Sequence, residues 1–108
     1  MFPARLPAHL EVAGLIRAVG NAGGFAAVLH RGDRDAGTIA LVTLQRGGPA
    51  QLWERMPQLD GSRPYVISQT EDAADPGSFA RYLARRSEQD RDLWIVELDV
   101  GNPERFIS

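Results

Sequence analysis

Apolar positions recur along the chain with two different periods, one typical of helices and one typical of strands. Within residues 8–21 they repeat at three- and four-residue spacing, which predicts an amphipathic helix. The positions that share this spacing are Leu10, Ala13, Ile16 (with Leu15) and Val19. Pro7 before the segment and the glycines of residues 20–24 after it favour the same boundaries.

Shorter apolar runs, bounded by glycine, proline and aspartate, predict strands. They lie at residues 25–31, 38–45, 50–56, 64–69 and 92–100. The first two are apolar on both alternating faces, as in strands that are covered on both sides. A second helix, from about Pro76 to Asp90, is predicted to bury a stripe at helical spacing. The stripe consists of Phe79, Tyr82, Leu83 and the stem of Arg86.

The order α-β-β-β-β-α-β predicts one layered α/β (α+β) domain over residues 1–108, with two helices and a mixed, mostly antiparallel sheet. Short polar links join the first four strands and favour an antiparallel meander. Residues 25–45 are therefore interpreted as two neighbouring antiparallel strands joined by a tight turn. The last strand is expected to reach its neighbour by a crossover through the second helix.

The amino-acid composition excludes several catalytic mechanisms. The 108 residues include no cysteine, and all 12 basic residues are arginine, so thiolate and lysine mechanisms are excluded. The net charge of −2 provides no field that attracts nucleic acid. No apolar run approaches the roughly 20 residues that span a bilayer. We expect a cytoplasmic protein without a membrane segment or a cofactor.

The segment "LHRGDRDAGTIAL", residues 29–41, contains two acidic residues that are candidate ligands of a metal ion. Asp33 and Asp35 would suit a divalent cation if they met Glu97 and Asp99 at the strand ends. A metal-dependent phosphoesterase or nuclease would use such a cluster. Aspartate and glycine between two strands are also what a turn requires, and this second reading is the main expectation.

Three residues are candidates for binding a partner. Trp53 and Arg55 share one face of the third strand with polar neighbours, so Trp53 is either covered by a helix or offered to a partner. His30 ends an apolar run and could titrate or bind a ligand. Arg81 and Arg85 could contact a nucleic-acid backbone, but this hypothesis is less favoured because acidic residues follow them closely.

Two motifs carry a resemblance to a known family. The first includes Gly32, Asp33, Ala36 and Gly37 after a G-x-F-A-A-V strand, and the second is Asp92-Leu93-Trp94 at the last strand. With these motifs, the chain resembles an alphaproteobacterial family of small proteins, domain-of-unknown-function family 1491, over essentially its whole length. The resemblance implies a bacterial cytoplasmic protein and supplies no catalytic residues.

Two functions follow as hypotheses. The first is a non-enzymatic domain that binds another protein, including a second copy of itself, through a sheet edge or the Trp53 surface. The alternative is a metal-assisted enzyme that uses the four carboxylates.

Overall fold

The helices and strands follow the predicted order, and most boundaries agree within two residues. The structure, a computed structural model, describes residues 6–107. The elements are α1 (Ala8–Asn21), β1 (Phe25–His30), β2 (Ile39–Leu44), β3 (Gln51–Arg55), β4 (Tyr65–Thr70), α2 (Gly77–Gln89), β5 (Trp94–Asp99) and a short 3-10 helix, Pro103–Phe106.

The five strands form one open mixed sheet in the order β1-β5-β2-β3-β4. β5 is antiparallel to β1 and parallel to β2, whereas β2, β3 and β4 form an antiparallel meander. The predicted fold class, with its mixed, mostly antiparallel sheet and two helices, is confirmed.

The interpretation of residues 25–45 as a hairpin is wrong. β5 lies between β1 and β2 and pairs with both of them, so these two strands are not neighbours. Residues 31–38, called the crossing segment below, therefore pass the entry to β5, and the turn that they contain does not join neighbouring strands. A short link with aspartate and glycine has the same local pattern whether the two strands are neighbours or are separated by a third strand. The pattern therefore does not predict that β5 lies between them.

The two helices cover opposite faces of the sheet. On one face, Val12 and Val19 of α1 pack with side chains of β2 and β5 such as Leu41 and Val96. On the other face, Phe79 of α2 packs with a second set of buried side chains from the central strands. The predicted stripe of α2 is confirmed, since Phe79 is buried and the rest of the stripe is half-buried. The result is three layers, helix, sheet and helix.

An ion pair also connects α2 to the sheet. The Arg86 guanidinium donates to Oε1 of Glu54 on β3 from Nε, at 3.0 Å, and from Nη2, at 2.6 Å. Both side chains are mostly shielded from solvent. This hydrogen bond raises the pKa of Arg86.

The buried face of α1 differs from the predicted one. Ala8, Val12 and Val19 are buried, whereas Leu10 and Ile16 are exposed. The two stripes share the same period, Leu15 and Val19, but the helix is rotated so that Ala8 and Val12 face the sheet. Periodicity alone does not choose between two overlapping apolar stripes.

The prediction that β1 is covered on both faces is also wrong. β1 is an edge strand, and four of its six positions are exposed. In contrast, β2 is almost fully buried, as its continuous apolar run predicts, and four of the six positions of β5 are buried.

The crossing segment is held against the start of β5. The amide of Asp33 donates to the Asp92 carbonyl at 3.0 Å, and the indole N–H of Trp94 donates to the Asp33 carbonyl at 2.7 Å. A side chain at Gly32 or Gly37 would overlap the carbonyl oxygen of Asp92. The two backbones can therefore approach this closely only where both positions lack a Cβ.

We expect Gly32→Ala and Gly37→Ala each to lower the free energy of unfolding by about 3 kcal/mol, because backbone carbonyl atoms cannot yield to the new methyl group. Urea unfolding of each variant measures the change.

Gly14→Ala is the matched control. Gly14 lies inside α1 with open space around it, so the substitution is expected to raise stability by about 0.5–1 kcal/mol. Equal, small effects at all three glycines would contradict the close crossing.

Candidate functional site

Asp33 organises the crossing segment by hydrogen bonds to its own backbone. Its Oδ2 accepts from the amide of Ala36 at 2.7 Å and from that of Asp35 at 3.1 Å. These bonds, the one from Ala36 first, lower the pKa of Asp33 below its ordinary value of 3.8. The carboxylate thus stabilises the turn, because an aspartate oxygen can accept hydrogen bonds from amides that have no backbone acceptor.

The crossing segment also caps the first helix. The carbonyl of Asp35 accepts from the amide of Ala8 at 3.1 Å, and the carbonyl of Arg34 accepts from the amide of His9 at 2.9 Å. No side chain caps this helix end. Backbone carbonyls of the crossing segment therefore satisfy donors that a helix start leaves unpaired.

The four candidate carboxylates do not meet. Asp33 lies beside Trp94 at the start of β5, whereas Asp99 ends the same strand, about 17 Å away at the usual rise per residue. Glu97 is half-buried on the α2 side of β5. Among the residues that the structure describes, no group of three histidine or acidic side chains could hold a metal ion. The cluster required by the enzymatic alternative is not formed.

His30 lies at the crossing. Its Nδ1 is 2.6 Å from the carbonyl oxygen of Leu93, and the ring is half-buried. Because a carbonyl only accepts, this contact places the ring proton on Nδ1 and leaves Nε2 as the acceptor in the neutral ring. The contact ties the end of β1 to the start of β5.

Trp53 and Arg55 are placed far from His30, on the α1 side of β3 and at its end. Trp53 is half-buried against the core, and its indole N–H donates to the hydroxyl of the buried Thr43 at 3.0 Å. Arg55 lies over the Tyr65 ring at 4.4 Å and donates to the Arg63 carbonyl at 2.9 Å. The structure does not combine the three candidate binding residues into one site.

The two arginines considered for nucleic acid lie on the exposed side of α2. Arg81 forms an exposed ion pair with Asp75 at 3.0 Å, and Arg85 is exposed. An exposed pair of this kind contributes little energy, so Arg81 is held only weakly.

A cleft of about 340 Å³ opens at the carboxyl ends of the parallel strands β2 and β5. Its charged lining residues are Arg46, Asp99 and Glu104. Because the charges have mixed signs, they do not favour one class of ligand.

The feature that sequence reasoning missed is the outer edge of β1. Phe25 is 77% exposed, Val28 40% and Leu29 47%. Within residues 6–107, no strand pairs with this edge, so about half of the backbone donors and acceptors of β1 face away from β5. The strand FAAVLH contains neither a charged residue nor a proline. The fold and this edge define a three-layer α/β domain with a free apolar sheet edge.

The chain belongs to the DUF1491 family. The family profile, described as "Protein of unknown function (DUF1491)", matches residues 6–108. This result confirms the resemblance drawn from the two motifs, and the structure explains it physically, because both motifs lie at the crossing.

Solved structures agree with this assignment. A DUF1491 family protein from Caulobacter crescentus CB15, solved by crystallography, is 28% identical and superposes with a TM-score of 0.80 over 96% of both chains. A protein from A. tumefaciens, solved in solution, is 29% identical, with a TM-score of 0.75 over 96% of this chain and 93% of that one. An NMR structure of a Caulobacter DUF1491 protein is 28% identical, with a TM-score of 0.74 over 98% of this chain and 96% of that one.

The comparison with curated proteins yields no match. Within the described part of the chain, no helix is long and apolar enough to cross a membrane.

The lowered pKa of Asp33 predicts a pH dependence. A carboxyl group with a depressed folded-state pKa stabilises the fold above its unfolded pKa, and this contribution is lost as the pH falls through the folded pKa. We expect Asp33→Asn to lose less stability than the wild type between pH 5 and about pH 2.

Urea midpoints across this pH range measure the effect, and NMR titration of the Asp33 carboxyl carbon identifies the group. Parallel stability profiles for the two proteins, with Asp33 titrating at its ordinary pKa, would contradict the turn role.

Proposed function

We propose that the chain is a non-enzymatic protein-interaction domain that binds an extended segment of another protein chain along the free edge of β1. In this mode the added strand gains backbone hydrogen bonds, while neighbouring side chains provide specificity. The proposal develops the sheet-edge form of the first hypothesis and does not depend on the Trp53 surface.

The observation that carries the proposal is a mismatch between the sequence of β1 and its position. FAAVLH has the pattern of a strand that is covered on both faces, yet β1 is an exposed edge strand in the single chain. Soluble proteins normally protect such edges with charges, prolines or a covering element. An apolar edge without these devices is expected where another strand covers it.

A β-bulge limits the length of the proposed contact. The pairing of β1 with β5 shifts between Val28, opposite Val96, and His30, opposite Ile95, so Leu29 is the extra residue. Because a bulge bends the strand and disturbs its pairing, regular strand addition is restricted to residues 25–28.

The other sheet edge is less suited to strand addition. β4 carries polar residues over its second half, Ser68, Gln69 and Thr70, and its exposed apolar residue is Ile67, at 45%. Ile67 pairs with Trp53 of β3, so a substitution there tests the Trp53 side of the molecule as well.

Ala27→Lys is the test of the β1 edge. Ala27 is an exposed position in the middle of the regular segment, where a lysine opposes strand addition without entering the core. We expect the tagged variant, purified from its own host, to lose at least one protein about tenfold relative to the wild type, as measured by quantitative mass spectrometry.

Ile67→Lys at the opposite edge is the matched control and is expected to retain the same proteins. Identical sets of bound proteins for the wild type and Ala27→Lys would contradict binding at β1. If Ile67→Lys alone lost bound proteins, the binding surface would lie on the Trp53 side of the sheet and not at β1.

A further inference from the structure

We infer that the strand that adds to β1 is β1 of a second copy of this chain, in an antiparallel arrangement about a two-fold axis at Ala26. The inference rests on the proposed function and names its partner. It would join two five-stranded sheets into one continuous sheet.

Symmetry restricts the possible registers. An antiparallel pair of identical strands has its two-fold axis perpendicular to the sheet, and paired residues must point to the same face. The axis must therefore lie midway between one residue and the same residue of the second copy, so that this residue pairs with its own copy. Within the regular segment 25–28, an axis at Ala26 keeps every directly paired residue before the bulge at Leu29.

Side-chain sizes fit this register. Ala26 pairs with its own copy, and Phe25 pairs with Ala27 of the second copy, twice by symmetry. Phe25 is the most exposed large apolar residue of β1, at 77%, and Ala27 leaves space beside it. Each aromatic ring would therefore cover a small residue of the other chain, and such cross-strand pairs stabilise sheets.

The α1 side of the sheet provides a second self-complementary surface. Leu15 and Glu11 line a cleft with Ile39 and Tyr65, so this flank of α1 faces β2 and β4. Helical geometry then places Ala13 and Ile16, both exposed, on the opposite flank toward the β1 edge. Because the axis is perpendicular to the sheet, both copies of α1 lie on the same face, with these small and apolar flanks toward each other.

Charge does not oppose the pairing. β1 has no charged residue, and the nearest carboxylates on its α2 side, Glu97 and Asp99, belong to β5. The β5 strands of the two copies would be three strand spacings apart, about 14 Å. This distance exceeds the screening length of roughly 8 Å at physiological salt.

The absence of cysteine permits a direct test of the register. Ala26→Cys, Phe25→Cys and Ala27→Cys each introduce a single thiol into the full chain. In the inferred register only the thiol at position 26 lies opposite its own copy, with Cβ atoms about 5 Å apart, close to the separation of about 4 Å in a disulfide. Ile67→Cys at the β4 edge is the control for random collision.

We expect mild oxidation to convert Ala26→Cys to a covalent dimer at least tenfold faster than the other three variants. Sedimentation equilibrium of the wild type between 10 µM and 1 mM is expected to give a mass that rises from 11.8 kDa toward twice that value. Ala27→Lys is expected to remove this rise, and its circular dichroism spectrum shows whether it is folded.

Two results would overturn the inference: a wild-type mass that stays at one chain up to 1 mM, or equal cross-linking at positions 26 and 67. If either occurs while Ala27→Lys still loses a host protein, the proposed function stands with a different partner. If Ala27→Lys changes neither self-association nor host binding, the proposed function fails as well.

Discussion

The fold depends on the contact between the crossing segment and the entry to β5. β5 is an interior strand, paired with β1 on one side and β2 on the other, and the chain must pass its start within residues 31–38. The Asp33 backbone, through its hydrogen bonds with Asp92 and Trp94, holds this passage. Because the same segment caps α1 with its carbonyls, one contact fixes an interior strand, an edge strand and a helix.

This contact gives the two family motifs a common physical cause. Gly32 and Gly37 allow the backbone of Asp92 to approach, while the Asp33 carboxylate folds the segment around its own amides. Aspartate and glycine are therefore required here by backbone geometry, and the acidic character of the segment follows from turn chemistry. Function is better sought at the surface that this arrangement leaves open, the outer edge of β1.

Local patterns predicted the elements but not their neighbours. Period and turn residues placed both helices and all five strands, because these signals arise within single segments. Strand order depends on contacts distant in sequence, so the insertion of β5 was not predictable from the link at residues 31–38. The exposure of Phe25 was missed for a related reason: an apolar run predicts a strand but does not tell whether that strand lies inside the sheet or at its edge. The α2 stripe around Phe79 was predictable because that helix has a single apolar face.

Native-state hydrogen exchange at the crossing tests the central claim most directly. If the crossing is part of the cooperative fold, the Asp33 amide and the Trp94 indole N–H exchange only through global unfolding. They then show the same opening free energy and urea dependence as the Val96 and Leu41 amides of the buried central strands. Exchange of Asp33 and Trp94 through a urea-independent local opening, much faster than that of Val96, would contradict the account and make the crossing segment a surface loop.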